Sequence, residues 1–433
     1  MRITFLLAAA VMMLCISCNS STPITNTNDY SAYLVKGAID DEAKKVTSEI
    51  EFWSHRLSKD TGGYINMLEL ARNYLGRFKV KGNVSDLNTG DSLLKRSSEK
   101  LAHTDPEILY ALTQNSITQH QFQVADKFIQ SAEKVKGDIY LLKLLQFDVN
   151  MELGRYQAAA KCLEGLGDKS AFDYLIRQAK WEDHKGNTDE AILQMEEALE
   201  TVKDKKKSLF CWTLSNLGDM YGHAGRIKES YQAYLSVLKK DPSNLYCLKG
   251  IAWIAYSHDK NYREAKRILR YILSQAEMPE LRIMLADIAA SEDNRNEARQ
   301  LTNEFISKVS KPAYGGMYNK YLIQLYCEEL SDYDKALSMA KKELMNRFTP
   351  ETCDLLAWAY YRKGELRKAY EYSSGHVYNF TFEPEALMHS GFIYADIGKT
   401  EEARKMLKQC LENEFELGPI AKKQIEVKLA ALY

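Results

Sequence analysis

The chain has 433 residues, with 58 lysines and arginines against 59 aspartates and glutamates. A balance this close to neutral gives neither the basic stripe of a nucleic-acid binder nor the acidic excess of a disordered tail, so nucleic acid is not an expected partner. The length would allow two or three globular domains, or one array that grows by adding units and needs no central core.

The first seventeen residues, MRITFLLAAAVMMLCIS, place one positive charge ahead of a long apolar stretch and a small residue directly before Cys18. That is the layout of a secretory signal, too short and wrongly flanked for a permanent span. Serine before cysteine, with small and apolar residues upstream, resembles the lipobox of bacterial lipoproteins. The resemblance implies that Cys18 is lipidated and becomes the mature N-terminus of an exported, envelope-anchored protein, with the outer membrane as the expected site. Cys15 stands where that pattern usually has leucine, and an ordinary cleaved signal without lipid is the alternative. Residues 18–38 then comprise the lipidated cysteine and a flexible tether, because NSSTPITNTND is too poor in large apolar groups to offset its ordering entropy. No later segment is apolar for long enough to cross a bilayer.

Residues 39–63, around EIEFWSHRL, read as an N-terminal capping helix. Beyond them, Pro106, Pro242, Pro279, Pro312, Pro350, Pro384 and Pro419 recur at about 34 residues, or four times that between the first two. Proline suits the first turn of a helix, where its missing N–H has no partner to lose, so the spacing marks a repeating helical unit. Alignment on the prolines brings Leu217, Gly218, Tyr221 and Gly225 into register with Leu356, Ala357, Tyr360 and Gly364, and with Gly391, Tyr394 and Gly398. Small residues follow on the second half of each unit, at Ala191, Ser230, Ala265, Ala298, Ala336, Ala369 and Ala403. Gly154 with Ala159 and Gly186 with Ala191 keep the pattern in earlier units, and Ala125 follows His120.

These residues resemble the tetratricopeptide repeat over about 64–417. The resemblance implies an all-α, right-handed superhelical solenoid of about ten antiparallel helix pairs. Small residues let helices approach, tyrosine and leucine fill the gaps, and glycine ends each first helix in a left-handed conformation. KVKGNVSDLNTGDSLLKRSS, rich in glycine, asparagine and serine, reads as a long loop in the first unit. Residues 418–433 read as a C-terminal capping helix.

No catalytic constellation, nucleotide fingerprint or metal motif occurs, so neither an enzyme nor a cofactor is expected. The six array cysteines, Cys162, Cys211, Cys247, Cys327, Cys353 and Cys410, sit inside amphipathic patterns and read as buried thiols. His184, His223 and His258 each lie at the end of a first helix. Complementing the helix dipole is favoured over a metal ladder, which helix spacing of about 8–10 Å reaches poorly. In the repeat family the concave groove is lined by first helices. The corresponding positions here are Asp219, Trp253, Asp287, Gln324, Trp358 and Phe392, joined by Tyr256 and Tyr361 on the same face, with Lys249 and Lys320 nearby. Aromatics in a groove are the usual anchors for a peptide or a sugar. The expectation is a non-catalytic, envelope-anchored scaffold for a protein or peptide, with membrane contact through the N-terminal lipid and no small-molecule substrate. A glycan-capturing surface lipoprotein and a structural subunit of an envelope complex are the alternatives.

Overall fold

A computed structural model describes residues 22–35, 37 and 39–433; the signal region and Cys18 lie outside them. Every regular element among the described residues is helical. A short α1 (Thr27–Tyr30) and the long α2 (Asp40–Lys59) precede ten antiparallel pairs. These are α3 (Tyr64–Lys81) with α4 (Val84–Lys100), α5 (Pro106–Thr118) with α6 (Phe122–Ala132), α7 (Ile139–Glu152) with α8 (Tyr156–Glu164), α9 (Phe172–His184) with α10 (Thr188–Val202), and α11 (Lys207–His223) with α12 (Ile227–Lys240). There follow α13 (Leu245–Ser257) with α14 (Tyr262–Gln275), α15 (Leu281–Ser291) with α16 (Arg295–Val309), α17 (Asn319–Glu328) with α18 (Tyr333–Asn346), α19 (Pro350–Arg362) with α20 (Leu366–His376), and α21 (Pro384–Asp396) with α22 (Thr400–Glu412). A final α23 (Glu414–Ala430) closes the series.

The repeat pattern is expressed as close helix contact. Ala125, Ala159, Ala191, Ala265, Ala336, Ala369 and Ala403 are fully buried. A Cβ at Gly218 would stand 2.7 Å from the Tyr234 ring, and one at Gly391 2.6 Å from Leu407, so a larger residue at either position would push the paired helices apart. Tyr326, Tyr360 and Tyr394 are buried between pairs. Pro106, Pro350 and Pro384 occupy the first turn of their helices. Pro242 and Pro279 lie in the turn just before a helix, Pro312 opens a 3-10 turn, and Pro419 restarts α23 after Gly418 (φ 78°) breaks it. The six array cysteines are free, and all but the half-buried Cys162 are buried.

Two segments differ from their sequence reading. The supposed loop of the first unit is α4. Its breaker residues are a left-handed terminus at Gly82 (φ 69°), an N-cap at Asn83, and a close contact at Gly90, where a Cβ would be 2.7 Å from Leu75. The expected tether over 18–38 is fastened from residue 22 to residue 35. The Ile24 and Thr25 amides donate to Asp259 at 2.9 and 2.8 Å, Tyr231 receives the Asn26 amide at 3.0 Å, and Tyr30 is fully buried with its hydroxyl on Glu264 at 3.2 Å. Tyr271 then donates to the Val35 carbonyl at 2.9 Å. One buried ring and a ladder of bonds to α12, the α13–α14 turn and α14 offset the ordering entropy that the polar composition alone could not.

The array also coils back on itself. Turns within pairs of the first half meet turns between pairs of the second half, at an offset of about 195 residues: Gly82 meets Glu277, Gly154 meets Phe348, Gly186 meets Phe382 and Gly222 meets Phe415. The Glu277 amide donates to the Lys81 carbonyl at 2.8 Å. Asn346 donates to the His120 carbonyl at 2.9 Å, Gln123 to the Asn346 carbonyl at 2.8 Å, and Asn88 to the Ala313 carbonyl at 2.9 Å. Arg347 pairs with Glu152 and lies 5.0 Å over Phe122. Along this seam the C-terminal ends of α7, α9 and α11 face the N-terminal ends of α19, α21 and α23, an alignment that helix dipoles favour. The concave groove thereby becomes the inner side, or bore, of the coil.

Candidate functional site

The first helices of the pairs supply the inner face, and the structure divides its expected residues into two groups. The first lies on α11 and α13. Asp219 accepts from Tyr234 at 2.5 Å and also from Tyr246. Lys249 lies 4.8 Å from the Tyr246 ring centroid. Trp253 meets Tyr256 edge-on at 5.5 Å and donates its Nε1–H to the Phe415 carbonyl at 3.1 Å; Ser257 donates to the same carbonyl at 2.6 Å. A Cβ on Gly418 would stand 3.2 Å from Trp253 and 3.6 Å from Tyr256. The chain's own segment 415–418 therefore covers both rings, and Tyr256 is buried.

The second group, on α17, α19 and α21, forms one connected network. Trp358 is stacked between His389 (4.0 Å, 12°) and Tyr361 (5.0 Å, 20°), meets Phe392 at 6.1 Å, and donates Nε1–H to Glu328 at 3.0 Å. Tyr361 donates to Asp396 at 2.6 Å. Lys320 pairs with Glu385 at 2.8 Å, and Gln324 donates to the other oxygen of that carboxylate at 2.7 Å. His389 Nδ1 is 2.8 Å from Asp354. His389 Nε2 and Asp354 Oδ1 are buried without a protein partner.

The electrostatics of this face come from Asp287, which the repeat alignment places in the groove, and from acidic groups that it did not single out. Asp287 is pushed up to about 7 by burial and by the negative charge of Glu328, Glu329 and Glu385. Glu383 is also raised to about 7, by burial and Glu416, against the pull of Lys320. Glu328 and Glu416 are raised, chiefly by burial. Burial raises Glu385, but Lys320 and His389 outweigh it and hold the carboxyl low. Burial would lower His389, yet Asp354, Glu385 and Glu328 carry it above the ordinary imidazole value. Lys320, Glu328 and Glu383 are exposed to solvent. Acidic residues scattered over α15, α17, α21 and α23 become one cluster only because the array coils.

The three histidines of the first-helix ends lie at or beside the seam. His184 stacks on Tyr156 at 3.9 Å and is lowered by burial. His223 acts on the carboxyls of Asp183, Glu383 and Glu416, drawing each of them down. His258 Nδ1 is 2.7 Å from Asp259, the residue that holds the N-terminal strap. Among the described residues no group of three or more His, Cys, Asp or Glu side chains is arranged to hold a metal, and no helix is long and apolar enough to cross a membrane.

Comparison with known proteins finds one family model that matches part of the chain. Residues 384–416, covering α21 and α22, match the tetratricopeptide repeat model. No curated protein gives a significant match. Among solved structures, the Cut9–Hcn1 hetero-tetramer of the APC/C aligns with a TM-score of 0.47 at 11% identity, over 94% of this chain and 92% of that one. Yeast Tom70 gives 0.34 at 13% identity, over 94% and 97%. A tetratricopeptide repeat protein from Parabacteroides merdae ATCC 43184 gives 0.35 at 17% identity, over 61% and 99%. The last pair of the array and the turn into α23 are thus similar in sequence to the tetratricopeptide repeat, and the nine pairs before it repeat the same helix–turn–helix arrangement.

Proposed function

We propose that the chain is a non-catalytic scaffold of the cell envelope, anchored through Cys18 in the outer membrane, that holds an extended protein segment in its bore and favours a basic one. The observation that carries this reading is the crowding of Asp287, Glu328, Glu383 and Glu416, two of which are held near 7 by burial and mutual repulsion. A cationic side chain entering the bore stabilises their ionised forms and is itself stabilised by them. The edges of Tyr361 and Phe392 offer apolar contact beside the charges. Anchorage rests on the sequence pattern around Cys18. The glycan reading has less support, since Trp212 alone of the five tryptophans is exposed.

Fluorescence anisotropy with lysine-rich, uncharged and glutamate-rich peptides of equal length provides the test. The lysine-rich peptide should bind wild type, and bind more weakly at high salt and to Asp287→Asn/Glu328→Gln. Equal binding of all three peptides, or of none, removes the bore as the site.

A further inference from the structure

The N-terminal strap fixes where an anchor on Cys18 would hold the molecule. Thr22 lies beside α12, and the strap passes Tyr231 on α12 and continues along α14 past Glu264, Arg267, Tyr271 and Gln275. Four Cα–Cα steps separate Cys18 from Thr22, a reach of at most about 14 Å however the intervening chain runs. A lipid on Cys18 therefore leaves the array little freedom to stand off from a bilayer or to rotate above it.

The wall that would face the bilayer is basic. On α14, Arg263, Arg267 and Arg270 recur at helical spacing along one outer stripe, and the Arg263 side chain is 91% exposed. Lys228 and Lys239 lie on the outer stripe of α12 together with Gln232, and Arg295 and Arg299 extend the basic surface onto α16. Within this wall Glu264 pairs with Arg267 and lies 4.0 Å from Arg263, Glu297 pairs with Arg270, Glu292 with Lys266 and Glu229 with Arg226. The surplus positive charge is therefore that of Lys228, Lys239, Arg295 and Arg299 with one arginine of the α14 stripe. Arginine and lysine held within a Debye length of an anionic leaflet are attracted to it.

We infer that the outer faces of α12, α14 and α16 form a docking surface for an anionic lipid bilayer, so that the axis of the coil lies parallel to the membrane and both ends of the bore open sideways. This rests on the anchored reading of Cys18 for its tether and on the surplus charge of Lys228, Lys239, Arg263, Arg295 and Arg299 for its attraction to the bilayer. The opposite wall is α20, three units and roughly half a superhelical turn away.

The test uses the full chain, expressed with its signal, on vesicles containing phosphatidylglycerol. A Cys162→Ser background removes the one half-buried thiol, and a fluorophore is attached at Gln232→Cys or at Arg367→Cys on α20. Intact mass reports acylation of Cys18, and a spin-labelled lipid reports proximity by quenching. The expected result is quenching at 232 and little at 367, with quenching at 232 reduced in Arg263→Glu/Arg299→Glu by about fivefold per charge removed when the acyl chain is absent. An acylated protein quenched equally at both positions overturns the docking face while the anchor stands. A protein without acyl that still shows salt-sensitive quenching at 232, with Cys18→Ser added so that the label sits only at 232, supports the face and removes the anchor. A protein without acyl and without vesicle binding overturns both.

Discussion

Glycines in the turns are not equivalent. Gly398 has φ 86° with nothing within 4 Å of a Cβ, so its only requirement is a left-handed backbone. Gly154 has φ 73°, and a Cβ there would lie 2.1 Å from the Phe348 carbonyl oxygen across the seam. Gly398→Ala should cost about 1 kcal/mol, and Gly154→Ala about 2–4 kcal/mol, because a rigid backbone atom must move as well. Denaturant melts of the two variants check the order, and equal losses would mean that the seam carries no weight. The same turn position is left-handed without glycine at His120, Lys260, Asp293 and Ser331, and so the glycine signature fades there in sequence while the geometry persists.

The carboxyl of Asp287 lies near 7 in the folded protein and near 4 when exposed. Between those values the folded state binds more protons than the unfolded state, so stability falls as pH rises through that window and the loss is complete above it. Thermal melts of wild type and Asp287→Asn at pH 5, 6 and 7.5 should show the variant gaining on wild type as pH rises. A constant difference would show that the acidic lining does not strain the fold.

At the level of helices, the pairs were readable because proline, glycine, tyrosine and alanine recur at fixed positions, each for a local steric reason. Two elements were hidden because their residues serve other purposes. Gly82, Asn83 and Gly90 look like breakers in α4, yet they are a terminus, a cap and a contact. In the strap, the signal was a single side chain: Tyr30, fully buried in an otherwise polar stretch. Tyr30→Ala should therefore cost about 3–5 kcal/mol of local stability and free the strap. Limited proteolysis cutting between residues 22 and 40 in the variant and not in wild type is the expected outcome, and equal resistance would show that the bonds to Asp259 suffice. The candidate site was legible as a face and not as a chemistry. Trp358, Tyr361 and Lys320 were found by alignment, whereas His389, Asp354 and Glu385 gain their roles from contacts along α17, α19 and α21, which a one-dimensional pattern does not display.

For the molecule as a whole, the seam is a second level of organisation above nearest-neighbour stacking. Disturbing it should leave each helix pair intact, because pairs are held by their immediate neighbours. Gly82→Val/Gly154→Val is expected to retain wild-type helicity by circular dichroism while raising the radius of gyration in small-angle X-ray scattering. An unchanged radius would mean that the turns stay together without those glycines. Repeat proteins ordinarily tolerate gain or loss of a module, since each module sees only the next. Here the partners across the seam are set by how many modules lie between them, so deleting one from the middle would put every downstream turn opposite the wrong mate. Module number in this array is consequently a fixed quantity, as subunit number is in a closed ring.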